Sequence, residues 1–348
     1  MKSAYFIKPG KVEIRNFSKP EIEESTDVII KIVRACVCGS DLWWFRGITK
    51  REPGVIGHEA IGIIESIGNT VHNFKVGDFV IVPFTHGCGQ CAICKAGFEA
   101  NCPNATEAVS GGYQGEYYRA INADGALVKI PGKPSDYSEN QLASLTTLSD
   151  VMPTGFHAAK AAGVKNKDTV VIFGDGGVGL CAVIGAKLLG AKRIIMMSRH
   201  SDRTALALEF GATDIIKERD EAAVKQVLLL TKGLGADAVL ECAGTKSSVE
   251  TAMQVARAGA NIGRVGVPHE VDYNPYMTNL FFRNIGLTGG GASVSRWDKE
   301  ILLNAVLNGE INPGKVFTHT YELDDVEQAY KDMDERRTIK SLLRISEG

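Results

Sequence analysis

Four of the eight cysteines crowd into fifteen positions, as Cys88-x-x-Cys91-x-x-Cys94 followed by Cys102. Four thiolates on one short lobe, residues 86–103, close a tetrahedral zinc site and leave no coordination position for chemistry. Gly87, Gly89 and Gly97 give the lobe freedom to wrap an ion. The reading is structural zinc. A nucleic-acid zinc ribbon is disfavoured, because Lys95 is the lobe's one lysine or arginine. A second set of donors is dispersed: Cys38-Gly39-Ser40-Asp41, then Gly57-His58-Glu59, then Asp150. Thiolate, imidazole and carboxylate together suit zinc with one position open to substrate. Taken singly, each piece reads as readily as a buried core cysteine or a solvated His-Glu turn.

A third motif handles phosphate. Gly174-Asp175-Gly176-Gly177-Val178-Gly179 fits G-x-G-x-x-G, follows the apolar run Thr169–Phe173 and opens a helical pattern. In that context the glycines admit a pyrophosphate, and the helix N-terminus offers it unpaired N–H groups. An NAD site carries Asp or Glu roughly 20 residues on, for the ribose hydroxyls. The next strand instead ends Met197-Ser198-Arg199-His200, with Arg203 beyond and no carboxylate at its tip. A hydroxyl and cations suit a 2′-phosphate, so NADP(H) is expected over NAD(H). The competing reading is two ordinary solvated arginines at a helix start.

The surrounding elements must position these groups. Before residue 150 come short β-rich runs (28–33, 60–67, 76–82) punctuated by Gly turns, as in a mainly antiparallel or barrel-like domain. After Pro153 strands (169–173, 193–197, 214–216, 238–240, 261–265) alternate with helices (178–189, 203–210, 224–230, 249–257). That alternation implies βαβ units and a doubly wound parallel sheet. A sixth strand is expected at 285–287, helices near 297–307 and 326–332, and a last strand at 341–345 that returns to the first domain. With 348 residues, 44% of them hydrophobic, the chain can bury two cores. Net charge −2 and pI about 6.4 give no basic field for nucleic acid or an anionic membrane. No run approaches the roughly 20 apolar residues of a membrane span, and Lys8 and Lys11 come too early for a signal-peptide core. Clustered thiols without a secretion signal fit a reducing cytoplasm.

These motifs together resemble the zinc-dependent medium-chain alcohol dehydrogenase family over essentially the whole chain. Gly57-His58-Glu59-Ala60 with Gly62, Val76-Gly77-Asp78-Phe79-Val80, the four-cysteine lobe and the dinucleotide turn carry the likeness. Residues 148–157 are similar to bacterial secondary-alcohol dehydrogenases, in which Asp replaces a zinc-binding Cys. The resemblance implies an α/β protein. A GroES-like β-barrel catalytic domain (1–152) would be rejoined by 291–348, with a Rossmann domain (153–290) between them and a catalytic cleft between the two domains. It implies two zinc ions: a catalytic one on Cys38, His58 and Asp150 with Glu59 as an exchangeable fourth ligand, and a structural one on Cys88, Cys91, Cys94 and Cys102. Asp41 would accept the second N–H of His58, and Ser40 would pass the substrate proton outward. Thr154, Val178, Val265, Gly266 and Val267 would line the nicotinamide site, and Lys340 would lie near the cofactor phosphates.

One position departs from the family pattern. Trp43 stands where many members carry a proton-relaying His, and indole only donates. Trp43 and Trp44 either wall an apolar substrate pocket or pack in the core; His86 and His157 are alternative relays that nothing in the sequence favours. The expected reaction is hydride transfer between an alcohol, or its aldehyde or ketone, and NADP(H), by a homo-oligomer (tetramer or dimer). NAD-dependent polyol, amino-alcohol or formaldehyde-adduct dehydrogenases share both zinc sites. A zinc-free quinone reductase or a non-catalytic NADPH-binding protein would not need Cys38, His58 and Asp150.

Overall fold

The computed structural model describes residues 1–105, 112–268, 287–292 and 296–348. The chain divides into two compact units, one of residues 1–150 and 293–348, the other of residues 151–292.

In the first unit the run Val28–Cys36 is buried on both faces and becomes the central strand. It pairs antiparallel with Ala60–Ile67, Tyr117–Ala120 and Lys340–Arg344. The seven-stranded sheet continues through Phe79–Val82 to Val128–Ile130 on one side and through Lys340–Arg344 to Phe317–Glu322 on the other. Among the described residues the strands at those two ends do not pair with each other, and the sheet is antiparallel-rich. A smaller sheet holds Lys2–Lys8, Lys11–Asn16 and Gly54–Val55. Register positions the chemistry. Ala35 faces Ala60 and Leu342 faces Cys36, so Cys38, His58, Glu59 and Lys340 gather at one end of three adjacent strands. Beneath them a core of Phe6, Trp44, Phe45, Val80, Val82 and Tyr330 excludes water. Trp44 belongs to it, with its ring 4.7 Å from that of Phe6, which decides between pocket and packing for that residue.

The second unit is a five-stranded parallel sheet in the order Asp214–Ile216, Arg193–Met197, Thr169–Phe173, Ala236–Glu241, Ala256–Arg264. Runs such as Val170-Val171-Ile172 are fully buried, as central parallel strands require. The order reverses beside Thr169–Phe173, the place where doubly wound sheets open a ligand crevice. Helix Val151–Ala161 packs on helix Gly177–Leu188 through Gly155 and Gly185, where an added Cβ would lie 2.5 Å and 2.9 Å from the opposing backbone. The helix expected to reach Arg257 ends at Val255, and strand Ala256–Arg264 begins at once, because the apolar helical spacing stops at Val255. The sixth strand expected at 285–287 falls on residues of which 285 and 286 lie outside the described set.

Candidate functional site

At the strand ends of the first unit, Cys38, His58, Glu59 and Asp150 each bring one donor atom within 4.8 Å of the others. Cys38 Sγ lies 3.6 Å from Asp150 Oδ2, and His58 Nε2 lies 3.5 Å from that same oxygen. Zinc bonds of 2.0–2.3 Å at tetrahedral angles separate neighbouring donors by about 3.3–3.8 Å, so this donor set fits zinc. The electrostatics agree. Burial alone would depress the His58 imidazole, but Cys38, Asp41 and Asp150 outweigh it and hold it well above its ordinary range. Burial, then the Glu59 charge, raises the Cys38 thiol. Acidic groups crowded this way, largely away from water, call for a cation.

The supporting residues differ in part from expectation. Asp41 Oδ1 is 3.7 Å from His58 Nδ1, too far for a hydrogen bond. Its other oxygen accepts the Cys38 backbone N–H at 3.0 Å and faces the Tyr330 hydroxyl at 3.3 Å. Asp41 thus braces the cysteine loop and acts on His58 through charge. Lys340, expected near the cofactor phosphates, lies beside Glu59. It is 1% exposed, and its Nζ meets Glu59 Oε1 at 2.7 Å and donates to the Val37 carbonyl at 2.9 Å. The strand register turns it inward, toward Glu59. Glu59, fully buried, accepts at its other oxygen from the Cys36 thiol at 3.1 Å. Cys36, Gln114 and Tyr330 escaped sequence reasoning because their partners are distant in the chain: Tyr330 meets Gln114 Oε1 at 3.2 Å, and Gln114 Nε2 donates to the Cys36 carbonyl at 2.9 Å.

Ser40 has a free role. It stands at the N-cap of helix Asp41–Phe45 yet makes no capping bond; its hydroxyl donates to Cys38 Sγ at 3.2 Å. Trp43 is half-buried, with the Arg46 guanidinium 5.2 Å above its ring. His86 is buried, with Nε2 2.7 Å from the Tyr113 hydroxyl, and burial lowers it to about 4. It is therefore neutral near pH 7. His157 is half-buried on helix Val151–Ala161.

In the lobe, the sulfurs of Cys88, Cys91, Cys94 and Cys102 also fall within 4.8 Å of one another. Cys91 and Cys102 are 3.8 Å apart, the edge expected of a zinc–sulfur tetrahedron at about 2.3 Å per bond. Cys91 caps helix Ala92–Lys95 by accepting from the Cys94 N–H. Burial opposes ionisation of Cys88, but hydrogen bonds led by Asn104 overcome it and bring the thiol down to about 6. No cysteine is in a disulfide.

In the second unit, the Gly174 turn (φ +97°) abuts the backbone of Cys242 and Ala243, and a Cβ on Gly179 would strike the Gly174 carbonyl. A Cβ on Gly176 would meet nothing within 4 Å, and helix Gly177–Leu188 has no side-chain cap. An open cradle of unpaired N–H groups fits a pyrophosphate. Beside it a cavity of about 180 Å³ is lined by Phe173, Gly174, Met197, Arg219, Ala243 and Thr245. Val178 stands half-buried in the helix's first turn, and Thr154 is buried on its own helix. Val265 and Gly266 donate their backbone N–H groups to the Glu241 carbonyl, while Val267 is exposed. At the second strand's tip the structure revises the charge reading. Ser198 is fully buried, and its hydroxyl donates at 2.9 Å to the Asp175 carboxylate, which the glycine turn brings there. Arg203 also faces Asp175, whereas Arg199 is exposed.

Two family profiles match: an alcohol dehydrogenase GroES-like domain over residues 24–132 and a zinc-binding dehydrogenase domain over residues 177–301. An uncharacterized zinc-type alcohol dehydrogenase-like protein of Bacillus subtilis is 32% identical over 97% of both chains. The NADP-dependent isopropanol dehydrogenase of Thermoanaerobacter brockii is 30% identical over 97% of both. The solved structure of zinc dependent alcohol dehydrogenase 2 from Streptococcus pneumoniae superposes with a TM-score of 0.86, at 31% identity and full coverage of both chains. The chain belongs to the zinc-dependent medium-chain alcohol dehydrogenase family and is an oxidoreductase of that family.

Proposed function

We propose that this enzyme transfers hydride between a small secondary alcohol, or its ketone, and NADP(H). The observation that carries the reading is the convergence of Cys38, His58 and Asp150 at donor spacings suited to zinc, with the Ser40 hydroxyl 3.2 Å from the cysteine sulfur. Cys38, His58 and Asp150 would hold the catalytic zinc, with Glu59 an exchangeable fourth ligand once it leaves Lys340; the four lobe cysteines would hold the structural one. When bound, zinc supplies Lewis acidity to the substrate oxygen and the nicotinamide accepts the hydride. Ser40, uncommitted as a cap, takes the substrate proton and hands it on to water. Asp41 and Tyr330 keep the Cys38 loop in place. Gly174, Gly176, Gly177 and Gly179 cradle the pyrophosphate, Thr154, Val178, Val265, Gly266 and Val267 bound the nicotinamide, and Arg199 with Arg203 attracts a 2′-phosphate. The NADP-dependent isopropanol dehydrogenase among the relatives supports both the cofactor and the substrate class.

Among the described residues no helix is long and apolar enough to cross a membrane. The free thiols suit a reducing cytoplasm, and the proposed assembly is a homo-oligomer, dimer or tetramer, which light scattering would report. The test of function is initial rates with NADP⁺ and NAD⁺ on short primary, secondary and polyol alcohols, before and after chelation. Chelation-sensitive turnover favouring NADP⁺ and secondary alcohols is expected. Equal or better efficiency with NAD⁺ on polyols would overturn the cofactor and substrate assignment.

A further inference from the structure

We infer that Asp175, inside the glycine turn, is the residue that sets discrimination between a 2′-phosphate and a 2′-hydroxyl on the bound nucleotide, acting through Ser198 and Arg203. The inference rests on the dinucleotide reading of that turn. Phe173 and Met197 are register partners in adjacent parallel strands, so the segments that follow them emerge side by side. Asp175 follows one and Ser198 follows the other. In doubly wound folds the pyrophosphate lies at the first of these segments and the adenosine ribose at the second.

The carboxylate missing from the second strand's own tip is therefore supplied by the first strand's turn. Asp175 Oδ2 accepts the Ser198 hydroxyl at 2.9 Å, and its Oδ1 and backbone carbonyl face Arg203 Nη1 at 3.4 Å and 3.3 Å. Thr204 donates to Ser198 Oγ at 3.2 Å, so both sides of that hydroxyl are engaged. The Asp175 and Arg203 side chains are 15% and 12% exposed, a site where charge is only partly screened by water. Three consequences follow. The Ser198 proton is committed to a carboxylate and is not offered to a phosphate. Arg203 is partly compensated by Asp175, while exposed Arg199 faces no such carboxylate among the described residues. An arriving 2′-phosphate meets a fixed negative charge, while a ribose hydroxyl meets an acceptor. Asp175 thus restrains selection for the phosphate that Arg199 and Arg203 would otherwise make strong.

The test is calorimetric binding of 2′,5′-ADP and 5′-AMP to the wild-type holoenzyme, Asp175→Asn and Arg203→Gln, with the NADP⁺/NAD⁺ ratio of kcat/KM as a second readout. Asp175→Asn keeps the shape and removes the charge. It is expected to tighten 2′,5′-ADP relative to 5′-AMP on the order of tenfold, with the kcat/KM ratio rising in parallel. Arg203→Gln leaves the carboxylate unbalanced and shifts both ratios the opposite way. A folding defect would weaken both nucleotides together and leave their ratio alone, so ratios within twofold of wild type in both variants would overturn the inference. Binding of neither nucleotide by the wild-type enzyme would overturn the dinucleotide reading itself. Wild-type preference for NAD⁺ with the predicted variant shifts would overturn only the NADP(H) assignment and would support the role of Asp175.

Discussion

Replacing Lys340 with Met tests the buried arrangement around the candidate catalytic site. Lys340 and Glu59 are 1% and 0% exposed and 2.7 Å apart, and the ammonium also satisfies the Val37 carbonyl. Met fills a similar volume without charge, so the substitution isolates electrostatics from cavity formation. It leaves a buried carboxylate with the Cys36 thiol as its remaining side-chain hydrogen-bond donor. Removing one member of a buried pair costs roughly 3–5 kcal/mol, far above the 0–1 kcal/mol of an exposed pair. For a unit of roughly 200 residues that is a fall in Tm on the order of 10 °C.

The assay is urea unfolding followed by tryptophan fluorescence. All three tryptophans, Trp43, Trp44 and Trp297, belong to the unit that holds the pair, so the probe reports that unit. Adding Glu59→Gln to Lys340→Met removes the stranded charge, and the double variant should recover at least half the loss, a coupling on the order of 2 kcal/mol. The pH dependence carries a definite sign. Burial alone would depress Lys340, but Cys36, Glu59 and Cys38 raise it well above the ordinary lysine range. A lysine raised on folding contributes fully below its unfolded pKa of about 10.4 and loses that contribution only as pH rises through the folded value. The difference between wild type and Lys340→Met should therefore be flat from pH 6 to 9 and shrink only in strong alkali. A Lys340→Met loss below about 1 kcal/mol, the scale of an exposed pair, would refute the reasoning.

Ser40→Ala should lower turnover by about 10²–10⁴-fold, the usual range for a lost proton-transfer group, with zinc content unchanged; metal analysis beside steady-state kinetics separates relay from ligation. Cys94→Ser should remove about one zinc equivalent per chain and lower thermal stability while retaining the other equivalent, because the lobe and the dispersed donor set share no ligand; inductively coupled plasma analysis counts both. Burial, then the Lys299 charge, lowers His86 to about 4, so the unfolded chain takes up a proton below about 6.5 while the folded chain resists until about 4. Stability should fall across that window by up to about 3 kcal/mol, and His86→Phe should flatten that part of the profile in pH-dependent urea melts.

What the sequence discloses about this protein follows the range over which its physics acts. The Gly174 turn was legible because a strand, a tight turn and a helix are consecutive, and strands 193–197 and 214–216 occupy their expected residues because buried parallel strands are short apolar runs. The four-cysteine lobe was legible for the same reason: its outermost ligands are fourteen positions apart, and spacing is itself the signal. Cys38, His58, Glu59 and Asp150 were brought together by family resemblance, and the register of three strands accounts for most of their meeting. Lys340 shows why composition misleads at longer range. The resemblance places it near the cofactor phosphates, and a partner 281 positions away in sequence makes it one of the least exposed charges among the described residues. The sheet's two faces, not any local pattern, determine that burial. Asp175 is the instructive miss. It was visible inside the motif, but the motif assigns that position no role, and a search for a carboxylate along the second strand looks down the wrong segment. Parallel register carries Asp175 to the second strand's tip, where the sequence of that strand shows no carboxylate.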